Sequence, residues 1–88
     1  MELFKSQHIT TNERVRMALL KRPYLTHGQA NEYGRSPEGS RELRRIVEKS
    51  GWDVRQRWVS NATNNGRHKE FYLTDEEKRR IWETEYDA

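Results

Sequence analysis

Apolar residues near the start of the chain recur at the spacing of one helix face. They lie three or four positions apart: Val15, Ala18 and Leu19. Thr10 and Glu13, three residues apart, form a capping-box pattern that begins a helix. Pro23 ends it, because proline disfavours a helical residue before it and has no amide hydrogen to donate. The pattern predicts a first helix from about Thr11 to Lys21.

Two more helices are predicted before residue 51. Thr26 can cap a short helix over residues 27–34, and Gly34 can end it in a left-handed conformation. Ser36 is a suitable N-cap and Pro37 a suitable first residue for a third helix. That helix extends to about residue 50 and is closed by Gly51. One of its faces carries apolar or small residues, namely Gly39, Ser40, Leu43, Ile46, Val47 and Ser50, and the other carries Glu38, Arg41, Arg44, Arg45 and Glu48.

After residue 51 the period of the pattern changes from about 3.6 to 2, which is typical of a strand. One set of alternating positions contains Trp52, Val54, Gln56 and Trp58, and the other contains Asp53, Arg55, Arg57 and Val59. The sequence Asn65-Gly66 is a turn signal, and residues 71–73 restore the alternation. A β-hairpin with one basic strand face and a basic tip is predicted. We expect Trp52 to be in the core, whereas Trp58 fits either the core or a binding surface.

The two ends of the chain are predicted to be accessory elements. Residues 1–9 lack a clear period and form an arm. Thr74 and Glu77 make a second capping box that opens a terminal helix over residues 74–88. Its few apolar residues either cover the protein's own core, which we expect, or pair with a second chain: Ile81, Trp82 and Tyr86. The predicted fold is α+β, with three helices, a β-hairpin and a C-terminal helix.

Length and composition limit the possibilities further. Eighty-eight residues, 32% of them hydrophobic and 35% charged, allow one domain with a modest core. The chain has no cysteine, so disulfides and thiolate metal clusters are excluded, and cytoplasmic residence is expected. The longest apolar run, residues 17–20, is far too short to cross a membrane. No signal-peptide segment is recognised at the N-terminus.

The distribution of charge is more informative than the net charge of +3. Residues 35–69 contain nine Lys or Arg against four acids, whereas residues 70–88 contain three against seven. Arginine outnumbers lysine twelve to five, and its planar guanidinium suits phosphates and guanine edges. The middle of the chain is therefore predicted to face a polyanion, and the acidic C-terminal helix to lie away from it.

The order of these elements resembles the winged helix-turn-helix family of DNA-binding domains over residues 10–73. Ala30, four residues before Gly34, resembles the family's inter-helix pattern, in which a small residue lets the helices approach and a glycine makes the turn. The segments 43–46 (Leu-Arg-Arg-Ile) and 51–54 (Gly-Trp-Asp-Val) resemble the small winged-helix proteins of phages and mobile elements. The resemblance implies a transcriptional regulator, a recombination accessory factor or an adaptor in replication.

The resemblance also implies sequence-dependent binding of double-stranded DNA without a cofactor. The third helix would enter the major groove, and the wing would contact the backbone or the minor groove. Backbone amides near Ser36 could hold a phosphate. The predicted DNA-binding residues are Arg35, Ser36, Ser40, Arg41, Arg44, Arg45, Arg55, Arg57, Asn65, Arg67, His68 and Lys69.

Other interpretations of the sequence compete with DNA binding. An Arg-rich helix face is often only a solvated surface with acidic neighbours. The main alternative is a winged-helix module that binds a protein partner, or a second copy, through its acidic C-terminal helix. No catalytic residues are predicted, because the acids at residues 75–77 suit the first turn of a helix and no nucleophile-base pair is recognised. The three histidines are too widely spaced to predict a metal site.

Overall fold

In the part of the chain that the structure describes, three helices precede a two-stranded antiparallel sheet and a fourth helix follows it. A computed structural model describes residues 9–60 and 66–86. Within these residues the elements are α1 (Thr11–Lys21), α2 (His27–Gly34), α3 (Gly39–Lys49), β1 (Arg55–Ser60), β2 (Arg67–Tyr72), α4 (Asp75–Ile81) and a π-helical turn (Trp82–Tyr86). The α+β class is as predicted. Residues 1–8 of the predicted arm, Asn65 and the predicted hairpin tip around it, and residues 87–88 lie outside the described residues.

Threonine caps begin three of the four helices, as predicted. The side-chain oxygens of Thr10 and Thr74 each accept a hydrogen bond, at 3.1 Å, from the amide three residues later. At α2 the capping box is complete, because Thr26 and Gln29 each donate a backbone amide to the other's side chain at 3.1 Å. These bonds satisfy amides that have no partner inside the helix, which fixes where each helix starts.

The turn between α2 and α3 differs from the prediction in two respects. The left-handed residue is Arg35, with φ 56°, and not Gly34. Gly34 ends α2 in a helical position, where an added Cβ would lie 3.0 Å from the Thr11 side chain, so a small residue is needed for packing against α1. Helix α3 begins at Gly39 instead of Pro37, because residues 35–38 form a turn in which the Glu38 amide donates to Ser36 Oγ at 3.0 Å.

A very close contact joins α2 to α3. A Cβ at Gly39 would overlap the carbonyl oxygen of Ala30 and would lie 2.6 Å from the Cα of Asn31. Beside this contact, Asn31 Oδ1 accepts a hydrogen bond from the Ser40 amide at 2.7 Å. The glycine lets the two backbones touch, and the asparagine sets the position of the first turn of α3.

The core is built from all the helices and from the strand that follows the predicted tip. Its buried apolar residues are Val15, Ala18, Leu19, Leu20, Leu25, Ala30, Leu43, Ile46, Trp52, Phe71, Leu73 and Ile81. Ile81 of α4 is fully buried, so the C-terminal helix covers the protein's own core at this position, as expected. Trp82 and Tyr86 are 37% and 43% exposed, so the terminal turn is only partly packed.

The sheet corrects the predicted strand alternation. Trp52 is buried, as expected, but it precedes the strand, and Gln56 and Trp58 are exposed. The cause is a tight turn in which the Val54 amide donates to the Trp52 carbonyl at 2.9 Å, which breaks the two-residue period before Arg55. In the observed register, Trp58 is opposite Lys69 and Arg57 is opposite Glu70.

A short bridge attaches the sheet to the helices. Leu25, in the segment between α1 and α2, exchanges two backbone hydrogen bonds of 2.8 Å with Phe71 of β2. Both side chains are buried, so the bridge places β2 directly over the start of α2. None of the helices in the described part of the chain has the length and apolar character to span a bilayer.

The close contact at Gly39 makes a testable prediction about stability. Gly39→Ala should lower the free energy of unfolding by about 3 kcal/mol, because backbone atoms must separate to admit the methyl group. Gly28→Ala, at a helical position with nothing within 4 Å of the added Cβ, should raise it by about 0.5 to 1 kcal/mol. Urea unfolding of both variants measures the difference. Equal stability of the two variants would contradict the observed packing.

A second prediction concerns acid unfolding. The Glu77 carboxylate accepts hydrogen bonds from Arg80 Nε at 2.8 Å and from the Asp53 amide at 2.9 Å. Arg80 first, and then the Asp53 amide, lower the pKa of Glu77 from 4.5 to about 2. A carboxylate with a lowered pKa stabilises the folded state fully above its unfolded value, so this contribution is lost as pH falls from about 4.5 to about 2. Thermal melts across this pH range should show the loss.

Two substitutions test whether the Glu77 carboxylate causes this loss of stability in acid. Glu77→Gln should be less stable at neutral pH and should lose less stability on acidification than the unmodified protein. The matched control is Glu76→Gln, an exposed residue in the same turn, which should follow the unmodified curve. Identical acid dependence in Glu77→Gln and Glu76→Gln would show that Glu77 is not the responsible group.

Candidate nucleic-acid interface

The three predicted arginines of α3 are all exposed, but they differ in their partners. Arg41 pairs with Glu38 at 3.0 Å and Arg45 pairs with Glu42 at 3.5 Å. Among the described residues no carboxylate lies within ion-pair distance of Arg44. Exposed ion pairs contribute little, about 0 to 1 kcal/mol, so Arg41 and Arg45 can exchange their partners for a phosphate at low cost.

Arg44 shares a cavity with residues from two other elements. The cavity, of about 210 Å³, is lined by His27 at the start of α2, Arg44 of α3 and Lys69 of β2, with Val47, Glu48, Gln56 and Phe71 completing it. These three elements meet here because the Leu25–Phe71 bridge places β2 over the start of α2. The fold therefore brings one predicted residue of the third helix next to one predicted residue of the hairpin.

A wider cavity of about 600 Å³ continues along the sheet. His27 and Lys69 line it as well, so the two cavities adjoin, and the wider one is completed by Thr26, Gly28, Trp58, Arg67 and His68. We name the joined surface of His27, Arg44, Trp58, Arg67 and Lys69 the basic cleft. Its polar groups are hydrogen-bond donors or cations around one exposed aromatic ring, a combination suited to a polyanion.

Trp58 is the most exposed large hydrophobic residue among those described, at 61%. Two cations lie near its ring, with Arg67 Cζ 5.5 Å and Lys69 Nζ 5.1 Å from the ring centroid. Cation–π contacts of this kind are worth about 0.5 to 1 kcal/mol at exposed sites. The ring thus restrains both of these cations of the cleft. Two interpretations of Trp58 were open from the sequence, and its exposure shows that the core position is wrong.

His27 is the residue of the cleft that the sequence analysis did not single out. Its ring packs edge-on against Phe71 with the ring centroids 5.0 Å apart. Burial first, and then the positive charges of Arg44 and Lys69, lower the pKa of His27 below its ordinary value of 6.5. The same two charges that raise the potential of the cleft thus add to burial in disfavouring the charged form of the imidazole.

The two arginines of β1, Arg55 and Arg57, face away from Trp58, because successive side chains of a strand point to opposite faces. Arg55 pairs with Asp53 at 3.2 Å. Arg57 donates to the buried carboxylate of Glu70 at 2.8 Å, and Tyr72 lies 4.9 Å from its guanidinium. The predicted basic face of the strand therefore does not continue the cleft. Glu70 also lies 3.5 Å from Nε2 of His68, which borders the wider cavity.

The predicted residues at the start of α3 are engaged within the protein. Ser36 Oγ accepts from the Glu38 amide, and the Ser36 carbonyl accepts from the Gly39 amide at 3.0 Å. The Ser40 amide donates to Asn31. The amides expected to hold a phosphate near Ser36 are thus paired inside the protein instead. Arg35 is exposed at the adjacent turn.

Comparison of the chain with protein-family models, curated proteins and solved structures finds no match. Within residues 9–60 and 66–86, no three His, Asp or Glu side chains are close enough to hold a metal ion together. Function must therefore be inferred from the geometry and charge of the basic cleft and of the exposed face of α3.

Proposed function

We propose that this protein is a winged helix-turn-helix domain that binds double-stranded DNA in a sequence-dependent manner. The observation that carries the proposal is the convergence of Arg44 from α3 and Lys69 from β2 on one cavity, with no carboxylate partner for either cation among the described residues. Cations left without internal partners suit an external anion, and two elements that share one basic surface can contact one ligand together.

Helix α3 is the element that would enter the major groove. An α-helix fits that groove, and side chains on its free face can reach phosphates and base edges. Arg41, Arg44 and Arg45 lie on the exposed side of α3, opposite the buried Leu43 and Ile46. Arginine donates two parallel hydrogen bonds to a guanine edge, which gives this face the chemistry for sequence-dependent contacts.

The strands would contact the DNA beside the groove that α3 occupies. Arg67 and Lys69 lie on the same side of the sheet as Trp58, and Lys69 shares a cavity with Arg44 of α3. Phosphate contacts from these residues would set the orientation of α3 without adding sequence information. The roles of transcriptional regulator and recombination accessory factor follow from the family resemblance alone.

One observation favours a second function, the binding of a protein partner through the C-terminal segment. Trp82 and Tyr86 are partly exposed, and their rings lie 5.0 Å apart. Adjacent exposed aromatic rings are typical of interface centres. The two functions use different surfaces and are compatible with each other.

A salt series tests the proposed function. Binding of the protein to random duplex DNA, single-stranded DNA and RNA is measured by fluorescence anisotropy at several salt concentrations. We expect a preference for duplex DNA and an affinity that falls steeply with salt, because bound phosphates release counterions. Equal affinity for all three polymers would indicate an unspecific polycation, and no binding at low salt would contradict the proposal.

A substitution on α3 tests the predicted recognition helix. Arg44→Ala should weaken binding to a preferred duplex by about 1 to 3 kcal/mol if Arg44 contacts a base edge. If it contacts only phosphate, the loss should be the same for all sequences, and the salt slope should fall by about one. The matched control is Arg79→Ala, an exposed arginine of α4, which should bind normally. Equal losses in the two variants would place the DNA elsewhere.

A further inference from the structure

His27, Arg44 and Lys69 belong to three separate elements and meet at one small cavity. Where secondary-structure elements meet, the space between them is usually filled by apolar side chains or closed by ion pairs. Here the lining includes an imidazole, a guanidinium and an ammonium group, with the Phe71 ring packed against the imidazole. The arrangement concentrates positive potential at a point open to solvent.

The charged groups around His27 are predominantly basic. Helix α3 contributes Arg44 and Glu48, and β2 contributes Lys69. Arg67 and His68, also of β2, lie around the adjoining wider cavity. Among the described residues that line the two cavities, Glu48 is the one carboxylate, and it is exposed. The balance around the imidazole is therefore positive, in agreement with the lowering of the His27 pKa by Arg44 and Lys69.

We propose that a phosphate group of the bound DNA binds between His27, Arg44 and Lys69, and that His27 takes up a proton from solvent when it binds. This inference rests on the proposed DNA binding and adds a residue and a protonation step to it. The phosphodiester remains a monoanion throughout. The neutral imidazole becomes an imidazolium, so that both of its ring nitrogens carry a hydrogen to donate.

The proton uptake follows from electrostatics. In the free protein, burial and two neighbouring cations disfavour the imidazolium. A bound phosphate adds a negative charge that offsets both cations and accepts a hydrogen bond from the ring, so the pKa of His27 rises. By linkage, the affinity for DNA rises as the pH is lowered through the interval between the free and bound pKa values, by about tenfold for a shift of one unit.

Histidine NMR titration of the full chain tests this proposal. Ring resonances of His27 are followed from about pH 8 to about pH 5 in the free protein and with bound duplex. We expect the pKa of His27 to lie below 6.5 in the free protein and to rise by about one unit in the complex. Arg44→Gln and Lys69→Gln should each raise the pKa of His27 in the free protein, a readout that does not depend on DNA.

Affinity measurements across the same pH range use His27→Gln, which keeps a polar side chain but cannot titrate. As the pH is lowered, the affinity of the unmodified protein for duplex should rise by up to about tenfold more than the affinity of this variant. The unmodified protein is the reference and should show the full pH dependence. Equal pH dependence in His27→Gln and in the unmodified protein would overturn the proposal.

Two further arms separate the possible failures. Duplex binding with an unchanged pKa of His27 would overturn the phosphate site and leave the proposed function intact. Inorganic pyrophosphate is the second probe. If pyrophosphate raises the pKa of His27 while no duplex binds at low salt, the site takes a free phosphate compound, and both its assignment to DNA and the proposed function are wrong.

Discussion

The contact between Gly39 and the backbone of Ala30 is the constraint on which the rest of the structure depends. It brings α2 and α3 so close that no side chain fits between them, and Asn31 fixes the first turn of α3 by accepting its amide. This packing turns Leu43 and Ile46 into the core and leaves the three arginines outside. A wider separation of the helices would displace Arg44 from His27 and Lys69.

Ion pairs separate the predicted DNA-binding cations of α3 and of the sheet into two groups. Arg41, Arg45, Arg55 and Arg57 each have a carboxylate within 3.5 Å, whereas Arg44, Arg67 and Lys69 have none among the described residues. The second group lies at the basic cleft, where Trp58 and Phe71 provide aromatic surfaces near Lys69. Local charge density thus depends on which cations are paired, and a net charge of +3 conceals it.

The starts of α1, α2 and α4 could be predicted from the sequence because a threonine cap and the amide it satisfies are only three residues apart, whereas α3, predicted from Pro37, begins at Gly39. The left-handed residue could not be predicted, because Gly34 is required by its close contact with Thr11 of α1, and Arg35 takes the left-handed conformation instead. The tight turn at Val54 likewise overrides the alternation from Trp52 to Trp58. His27 joins the basic cleft through contacts with α3 and β2 that no local pattern contains.

We propose that α3 and the basic cleft form one DNA-binding surface. Titration of isotope-labelled protein with a duplex, followed through the backbone amide resonances, tests this proposal directly. We expect the largest shifts in residues 41–48 and 67–69 and at His27, with small shifts over residues 75–86. Shifts confined to residues 75–86, with residues 41–48 unchanged, would contradict it.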